Sequence, residues 1–237
     1  MGIAALFPGS DLVLPSLWEA IAGSRDVDWA IRDENTGKYV SFTPEMSRCW
    51  SWKDELPERG LACVGKHLGR WAALIAPRLL SAVYVVAADR RDGLTEFQFE
   101  VAEAVRAGGP CTGPELRALV GADKKQTDAA VIVLQRALVL TNSGLVQQEQ
   151  GWGAIAVDVL TRKWKLGRLP RADAAERTLA ATVLASSGEL SAADLGGALG
   201  WRLKRSRELL EELVEQGEAS RRDADGLALY RGASHTR

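Results

Sequence analysis

Three carboxylates lie close together in one short stretch of the sequence, at Asp54, Glu55 and Glu58. A carboxylate can take a proton from a water molecule and hold that water in position for attack. The same spacing is also typical of an exposed helix surface, on which carboxylates are simply solvated. We therefore regard the three residues as candidates for activating water, and the sequence alone assigns none of them a catalytic role.

Basic side chains are densest near the start of the last predicted helix. Arginine at the start of a helix that enters the DNA major groove can donate two hydrogen bonds to guanine. Glutamates follow one turn later and could neutralise these charges within the helix. The alternative interpretation is therefore a solvated, ion-paired helix face. The candidate DNA-contacting residues of this stretch are Arg202, Lys204, Arg205 and Arg207.

Further basic residues extend this pattern to two other places. Arg221 and Arg222 follow the last helix and could reach neighbouring phosphates. An earlier predicted helix begins with Lys124, Lys125 and Gln126, and it is less basic than the last one. Asp123 lies directly before that helix, and Asp128 and Arg136 lie within it. We expect Asp123 to cap the helix.

Five of the eight tryptophans fall in the first 71 residues. Trp50 and Trp52 would point apart on a helix, so one could face the core while the other stacks on an extruded base. The alternative is that both pack between segments. Lys66, after Gly65, could meet a phosphate or be a surface lysine beside a turn. His67 has no acidic neighbour in sequence, which favours a structural or surface histidine.

Composition excludes several classes of protein. With 46% hydrophobic and 26% charged residues the chain should fold, and a net charge of −1 excludes a globally basic DNA wrapper. Three cysteines without a CxxC pair and two histidines argue against disulfides and zinc, and no nucleotide-binding loop occurs. We expect no cofactor and no metal. The amino terminus lacks a signal-peptide pattern, and the apolar run 72–88 is too short to span a membrane, so we expect a cytoplasmic protein.

An internal repeat organises the last two-thirds of the chain. Gly109–Gly121 aligns with Gly188–Gly200 at an offset of 79 residues without a gap. In each copy a predicted helix precedes a Gly-containing break, and Thr112 or Ser191 then occupies an N-cap position. A short helix ends at the second glycine, and a longer helix follows it. The Asp225-Gly226 pair between two short extended runs indicates a closing hairpin. Three helices and a hairpin are the plan of a winged helix-turn-helix.

The fold class predicted from these patterns is mostly α with small β wings. We expect a Trp-rich mixed α/β segment at 1–90, a first winged helix at 91–164 and a second at 172–232. The Gly and Pro of Lys165–Arg171 mark the linker between the two units. In the first segment we expect a hairpin between residues 29 and 42. We also expect a helix at Ser51–Leu56 that stops near Pro57, and helices on both sides of Pro77.

The motifs of the first segment, followed by tandem winged helices, resemble those of the AlkZ-related proteins. These motifs are Trp50-Ser51-Trp52-Lys53, then Gly65-Lys66, then the apolar Leu74-Ile75-Ala76-Pro77. AlkZ-related proteins are short relatives of the AlkZ/YcaQ class of alkylpurine and interstrand-crosslink DNA glycosylases. The resemblance covers residues 18–230, and it implies a glycosylase-like fold and a connection to DNA repair.

One departure from that class bears directly on function. The full-length glycosylases carry a Gln-apolar-Gln signature that positions a water, and this sequence contains none. Its one glutamine cluster, Gln147-Gln148-Glu149-Gln150, falls in the first predicted wing, where it would be a solvated loop or a polar reader of DNA. We therefore expect a duplex-DNA-binding protein without the usual catalytic motif. The alternatives are a DNA glycosylase for alkylated or crosslinked bases, and a winged-helix adaptor that binds a protein partner.

Overall fold

The computed structural model describes residues 2–69, 71–147, 153–224 and 226–233. It is a mixed α/β structure of helices and small sheets. The helices are α1 (Leu17–Ala22), α2 (Pro44–Glu58), α3 (Leu80–Val86), α4 (Ala88–Asp92), α5 (Glu96–Gly108), α6 (Gly113–Val120), α7 (Lys124–Arg136), α8 (Leu160–Lys163), α9 (Ala172–Ser187), α10 (Ala192–Leu199) and α11 (Leu203–Glu215). The strands are β1 (Ile3–Ala5), β2 (Ala30–Arg32), β3 (Tyr39–Phe42), β4 (Cys63–Gly65), β5 (Ala73–Ile75), β6 (Cys111–Thr112), β7 (Leu140–Val146), β8 (Ala154–Val159), β9 (Glu189–Ser191), β10 (Ala219–Ala224) and β11 (Leu227–Gly232).

A buried three-stranded antiparallel sheet lies in the first segment, in the order β1-β5-β4. The helix expected before Pro77 is wrong, because β5 precedes that proline. The helix expected after Pro77 is confirmed as a short 3₁₀ turn, Pro77–Leu79, that leads into α3. Proline disfavours helical geometry in the residue before it. A short apolar run has the same sequence pattern in a buried strand and in a buried helix, so the pattern could not identify β5.

Helix α2 is longer than the sequence predicted, and its bounds matter for the site described below. It begins at Pro44, after Thr43, whose side chain accepts a hydrogen bond from the Met46 N–H. It also continues through Pro57 to Glu58. Proline in the last turn removes a single hydrogen bond from the helix, so it does not stop the helix at that point. The hairpin predicted between residues 29 and 42 is confirmed as β2 and β3.

Two segments of the chain share one order of elements: helix, strand, helix, helix, strand, strand. The first runs from α5 to β8 and the second from α9 to β11, and we call them unit 1 and unit 2. Helices α6 and α10, and likewise α7 and α11, begin and end 79 residues apart. The N-caps predicted at Thr112 and Ser191 are confirmed and are completed as capping boxes by Glu115 and Asp194, and the glycine helix ends at Gly121 and Gly200 are also confirmed.

Each unit closes with a three-stranded antiparallel sheet. The orders are β6-β8-β7 in unit 1 and β9-β11-β10 in unit 2. Strand β7 carries a bulge between Asn142 and Gly144, which shifts its register against β8. The hairpin strands β10 and β11 pair without a shift from Ala219↔Gly232 to Ala224↔Leu227.

The buried residues form three clusters, and the two units differ in whether they have a cluster of their own. Unit 1 has a cluster of its own, built on α5, α6, α7 and its sheet. The cluster of unit 2 is continuous with that of β1, β5 and α3 in the first segment. A third cluster joins α1 and α2 to one face of the first sheet. Within the described ranges, no helix is both long enough and apolar enough to cross a membrane.

Candidate functional site

A cleft of about 620 Å³ lies between α2 and the β7–β8 hairpin of unit 1. It brings together all three carboxylates that the sequence singled out, Asp54, Glu55 and Glu58, because the helix continues through Pro57. The opposite wall comes from the hairpin, with Leu145 and Ile155. The cleft therefore combines acidic groups with an apolar wall.

Glu58 is the carboxylate closest to the main chain of the hairpin. A Cβ added at Gly144 would lie only 3.5 Å from Glu58 Oε1, so the carboxylate sits against the bulge of β7. The half-buried Lys163 ammonium donates to the Ser143 carbonyl of the same bulge. Burial lowers the pKa of Lys163, while the negative charges of Glu58 and Asp158 act to raise it. The bulge thus holds a carboxylate and an ammonium group at one end of the cleft.

Asp54 and Glu55 differ in exposure and in ion pairing. Asp54 is half-buried and forms an ion pair with the buried ammonium of Lys53. Glu55 is exposed at the rim of the cleft. Glu58 and Glu55 are therefore more accessible to a ligand than Asp54.

Trp50 and Trp52 are both about 40% exposed, so the structure buries neither of them fully. Trp50 lines the cleft, meets Phe7 edge-on at 6.1 Å and lies 5.3 Å from the Lys53 ammonium. The sequence allowed full burial for at most one of the two tryptophans, and neither is fully buried, because the buried side of α2 consists of other residues. Gln147 lines the same cleft, whereas Gln148, Glu149 and Gln150 lie outside the described residues.

The basic residues of unit 2 fall into two groups. Arg205 forms ion pairs with Glu176, Glu208 and Glu212. These partners, with the Glu176 hydrogen bond contributing most, raise the pKa of Arg205. Ion pairing within the protein therefore occupies the guanidinium of Arg205.

The two hairpin arginines are paired in the same manner. Arg221 lies 2.7 Å from Glu211 and 3.0 Å from Asp223. Arg222 forms a two-pronged pair with Glu189, at 2.8 and 2.6 Å. A phosphate would have to displace a carboxylate in order to bind either side chain fully.

Arg202, Lys204 and Arg207 form the second group, and all three are exposed. Among the described residues, neither Arg202 nor Arg207 takes part in a salt bridge, and the Lys204 ammonium is 4.0 Å from Glu208 and 91% exposed. Lys204 and Arg207 are three residues apart, so they share one face of α11. We call these three residues the α11 basic face.

The start of α7 in unit 1 is exposed but less basic. Lys124, Lys125 and Gln126 all lie on the surface, and Lys124 pairs with Asp128 at 3.5 Å. The prediction for Asp123 is confirmed, since its carboxylate accepts the Gln126 N–H at 2.8 Å. That carboxylate therefore satisfies the helix end and is not an independent acidic site.

A fully buried polar cluster joins the loop after β4 to unit 1. His67 Nδ1 donates to the Gln135 carbonyl at 2.9 Å, and Nε2 lies 3.3 Å from Cys63 Sγ and 3.4 Å from Thr141 Oγ1. Burial lowers the pKa of His67 and raises that of Cys63 to about 12. The structural role predicted for His67 is therefore confirmed, and the thiol is a neutral packing group.

Two candidate positions were not identified from the sequence. Lys163 lies at the end of unit 1 without any motif around it, and Arg90 lies in α4, beyond the helix that was predicted to end at Ala88. Both are brought into place by residues distant in sequence, such as Ser143 and Arg136. Within the described ranges, no group of three or more His, Cys, Asp or Glu residues is arranged to hold a metal ion.

The comparisons with known proteins agree with this architecture. Residues 1–191 match a family model described as AlkZ related. Among solved structures, the chain is similar to the DNA glycosylase AlkZ of Streptomyces sahachiroi, with a TM-score of 0.50 and 16% identity. That match covers 76% of this chain and 55% of the glycosylase, so the chain spans little more than half of that enzyme's length.

A weaker likeness is to the DIP2311 protein of Corynebacterium diphtheriae, with a TM-score of 0.26 and 12% identity over 82% of this chain and 40% of that one. No curated protein matches the chain. At these identities the likeness to AlkZ shows a shared fold, and the family match covers most of the sequence. The chain therefore belongs to the AlkZ-related family.

Proposed function

We propose that the chain is a duplex-DNA-binding protein built on a DNA-glycosylase-like scaffold, and that units 1 and 2, at residues 91–164 and 172–232, act as winged helices. The order of elements in each unit supports this proposal, because the third helix and the hairpin are the parts that winged helices lay on DNA. Helix α11 would then be the recognition helix of unit 2.

The α11 basic face is the observation that carries the proposal. Its three cations are exposed and lie between the N-cap and the second turn of the helix, where side chains reach base edges and phosphates. Arg205, Arg221 and Arg222 would contribute less, because each already has a carboxylate partner. Lys124, Lys125 and Gln126 would add a weaker contact from unit 1.

The charge balance sets the expected strength of binding. The chain as a whole has a net charge of −1, so long-range attraction to DNA is absent. Binding should rest on a few local phosphate contacts and should weaken steeply with salt. We expect an affinity that is measurable at low salt and much reduced at physiological salt.

The test is a fluorescence-anisotropy titration of the full chain with duplex DNA at several salt concentrations. Log affinity falls with log salt, and the triple variant Arg202→Ala, Lys204→Ala, Arg207→Ala should make this fall less steep by about 2 to 3. Each lost phosphate contact contributes about 0.9 to the magnitude of the slope. The matched control, Arg205→Ala, Arg221→Ala, Arg222→Ala, removes the same charge from the same unit and should change the slope less. If wild type does not bind DNA even at low salt, the proposal fails and a protein partner becomes the better explanation.

The cleft favours a second candidate function, excision of an alkylated or crosslinked base. A glycosylase needs a polar group that positions water against the sugar, and an aromatic or apolar surface for the extruded base. Glu58, backed by Lys163, and Trp50 would provide these two elements at one site. This arrangement would replace the missing Gln-apolar-Gln signature with a carboxylate.

The excision test uses a duplex that carries an N7-methylated guanine, followed by heating in alkali to cleave any abasic site. Strand breaks confined to the alkylated duplex, lost in Glu58→Gln and kept in Glu45→Gln, would support excision. Glu45 lies on the same helix in its first turn, outside the cleft lining, so it is a matched control. The absence of breaks with wild type would leave DNA binding as the function.

A further inference from the structure

Two arginines are fixed side by side where the loop 66–69 meets unit 1. Arg90 Nη1 donates to the carbonyls of His67 and Arg136, at 3.3 and 3.1 Å. Arg136 Nε donates to the carbonyl of Gly69 at 3.1 Å. Main-chain carbonyls therefore hold both guanidinium groups in place, and both are half-buried.

These two arginines lack a balancing carboxylate. Within the described residues neither Arg90 nor Arg136 takes part in a salt bridge, in contrast to Arg205, Arg221 and Arg222. Burial and the positive charge of Arg136 both lower the pKa of Arg90. Two cations that are close together and partly removed from water repel each other, and an anion bound between them would relieve that repulsion.

Both guanidinium groups have N–H donors that take part in none of the hydrogen bonds described. A guanidinium has five N–H donors. The hydrogen bonds described for Arg90 use only Nη1, and those for Arg136 use only Nε. The remaining donors suit an oxyanion such as phosphate, which arginine binds in a two-pronged manner.

A role in capping the carboxyl end of α7 does not by itself explain the charges of Arg90 and Arg136. Arg91 also donates to a carbonyl at this end, that of Ala137 at 3.1 Å, and its guanidinium lies 3.8 Å from the centre of the Tyr84 ring. Arg91 is thus engaged on one side by a carbonyl and on the other by an aromatic face. Arg90 and Arg136 have no such ring partner among the described residues.

The arginine pair lies next to the turn that precedes α11. Gly200, with φ +70°, forms this turn, and a Cβ there would lie 2.6 Å from the Leu68 carbonyl and 3.4 Å from Arg90 Nη2. Arg202 follows two residues later, so its Cα is within about 7 Å of that of Gly200. Arg90 is therefore close to the turn that leads into α11, although it belongs to another segment.

We propose that Arg90 and Arg136 form a clasp that binds a phosphate group, and that this group is a backbone phosphate of the duplex held by α11. The phosphate chemistry follows from the two guanidinium groups, whereas the choice of DNA as its source rests on the proposed function. The Lys66 main-chain N–H donates to the side chain of Gln135 at 2.8 Å, which ties the loop 66–69 to the end of α7.

The first arm of the test measures the salt dependence of duplex binding by the full chain. Arg136→Gln should lower the slope by about 0.9, so that a fourfold rise in salt weakens wild type about 3.5-fold more than the variant. Arg91→Gln removes the same charge from the same junction and should leave the slope unchanged. Equal slopes for wild type, Arg90→Gln and Arg136→Gln would overturn the assignment of a DNA phosphate to the clasp.

The second arm replaces DNA with inorganic phosphate and measures the Tm against chloride at matched ionic strength. Phosphate should raise the Tm of wild type and of Arg91→Gln, and should not raise that of Arg136→Gln. If DNA does not bind but this pattern holds, the clasp binds free phosphate and remains supported. The proposed function of DNA binding is then rejected on its own. If phosphate and DNA both fail to distinguish wild type from Arg136→Gln, the clasp is excluded.

A conservative variant protects the test against a loss of folding. Arg136→Lys keeps the charge but loses the two-pronged geometry, so it should keep the Tm of wild type in chloride and lose most of the phosphate response. A full phosphate response in Arg136→Lys would contradict the two-pronged binding that the clasp requires.

Discussion

Units 1 and 2 have the same elements at a constant spacing, yet the rest of the chain uses them in different ways. The hairpin of unit 1 packs against α2 and closes a cleft, while the hairpin of unit 2 directs its arginines to glutamates of its own unit. The sequence repeat covers the capped second helix of each unit and not the hairpins, so the difference comes from the hairpin residues and from what each unit packs against. A duplicated unit can thus keep its local structure and acquire a different surface.

The two units also differ at the residue that ends their long helix. Leu138 has φ +56°, a left-handed conformation that is rare outside glycine, and the position 79 residues later is Gly217, with φ +74°. Leu138 is fully buried in the cluster that unit 2 shares with the first segment. Strain of about 1 to 2 kcal/mol at this residue is offset by that burial, which attaches unit 1 to the rest of the chain.

The largest expected effect in this comparison comes from Leu138→Ala. The variant keeps the strained backbone and loses the buried side chain, so we expect the free energy of unfolding to fall by about 3 kcal/mol. Urea denaturation followed by tryptophan fluorescence measures this change. Leu119→Ala, at a position 58% exposed in the same unit, is the control and should cost little. A loss below about 1 kcal/mol for Leu138→Ala would show that this residue does not anchor unit 1.

The next effect concerns the buried link between the loop 66–69 and unit 1. Burial lowers the pKa of His67 in the folded chain below its ordinary value of 6.5, so acid protonates the unfolded state first. Stability should be complete above pH 6.5 and should fall as the pH drops through that value. Between pH 7.5 and 5.5 the loss attributable to His67 is at most about 1.4 kcal/mol, the full effect of a group that binds a proton only in the unfolded state.

Denaturation at these two pH values with wild type and His67→Gln measures this contribution. The variant removes the titrating group, so its pH dependence should be shallower than that of wild type, by up to that amount. Parallel pH profiles for the two proteins would contradict the neutral, buried state of His67.

A smaller effect should follow from Gly217→Ala, the counterpart of the Leu138 change in unit 2. No atom lies within 4 Å of a Cβ at this position, so the change adds strain without a clash and without new burial. We expect a loss of about 1 kcal/mol, measured as a lower urea midpoint at an unchanged m-value. An increase in stability would show that the left-handed backbone is not what selects glycine there.

The smallest effect should come from the start of α7. Lys124→Ala with Lys125→Ala should lower the salt slope of DNA binding by about 1 or less, because Lys124 already pairs with Asp128. The measurement is the same anisotropy titration that tests the α11 basic face. A decrease as large as that of the α11 triple variant would show that the two units contact DNA equally. Units 1 and 2 would then differ in packing but not in DNA binding.

The sequence alone determined the features that depend on neighbours a few residues apart. Thr112 with Glu115, Ser191 with Asp194 and Asp123 before α7 specify helix starts, because a side-chain oxygen reaches an N–H only three residues away. The family resemblance, carried by Trp50-Ser51-Trp52-Lys53 and the segments after it, was also correct. It identified the family without showing which residues meet in space.

Tertiary structure alone decided the features that depend on distant partners. Strand β5 exists because β1 and β4 flank it, and nothing in its apolar sequence distinguishes it from a helix. Glu58 faces Gly144 and Arg90 faces Arg136 across 86 and 46 positions of the chain, and no local pattern encodes such pairs. Packing likewise decides whether an arginine is ion-paired. A carboxylate from another element can neutralise an arginine whose own sequence neighbours do not show that partner.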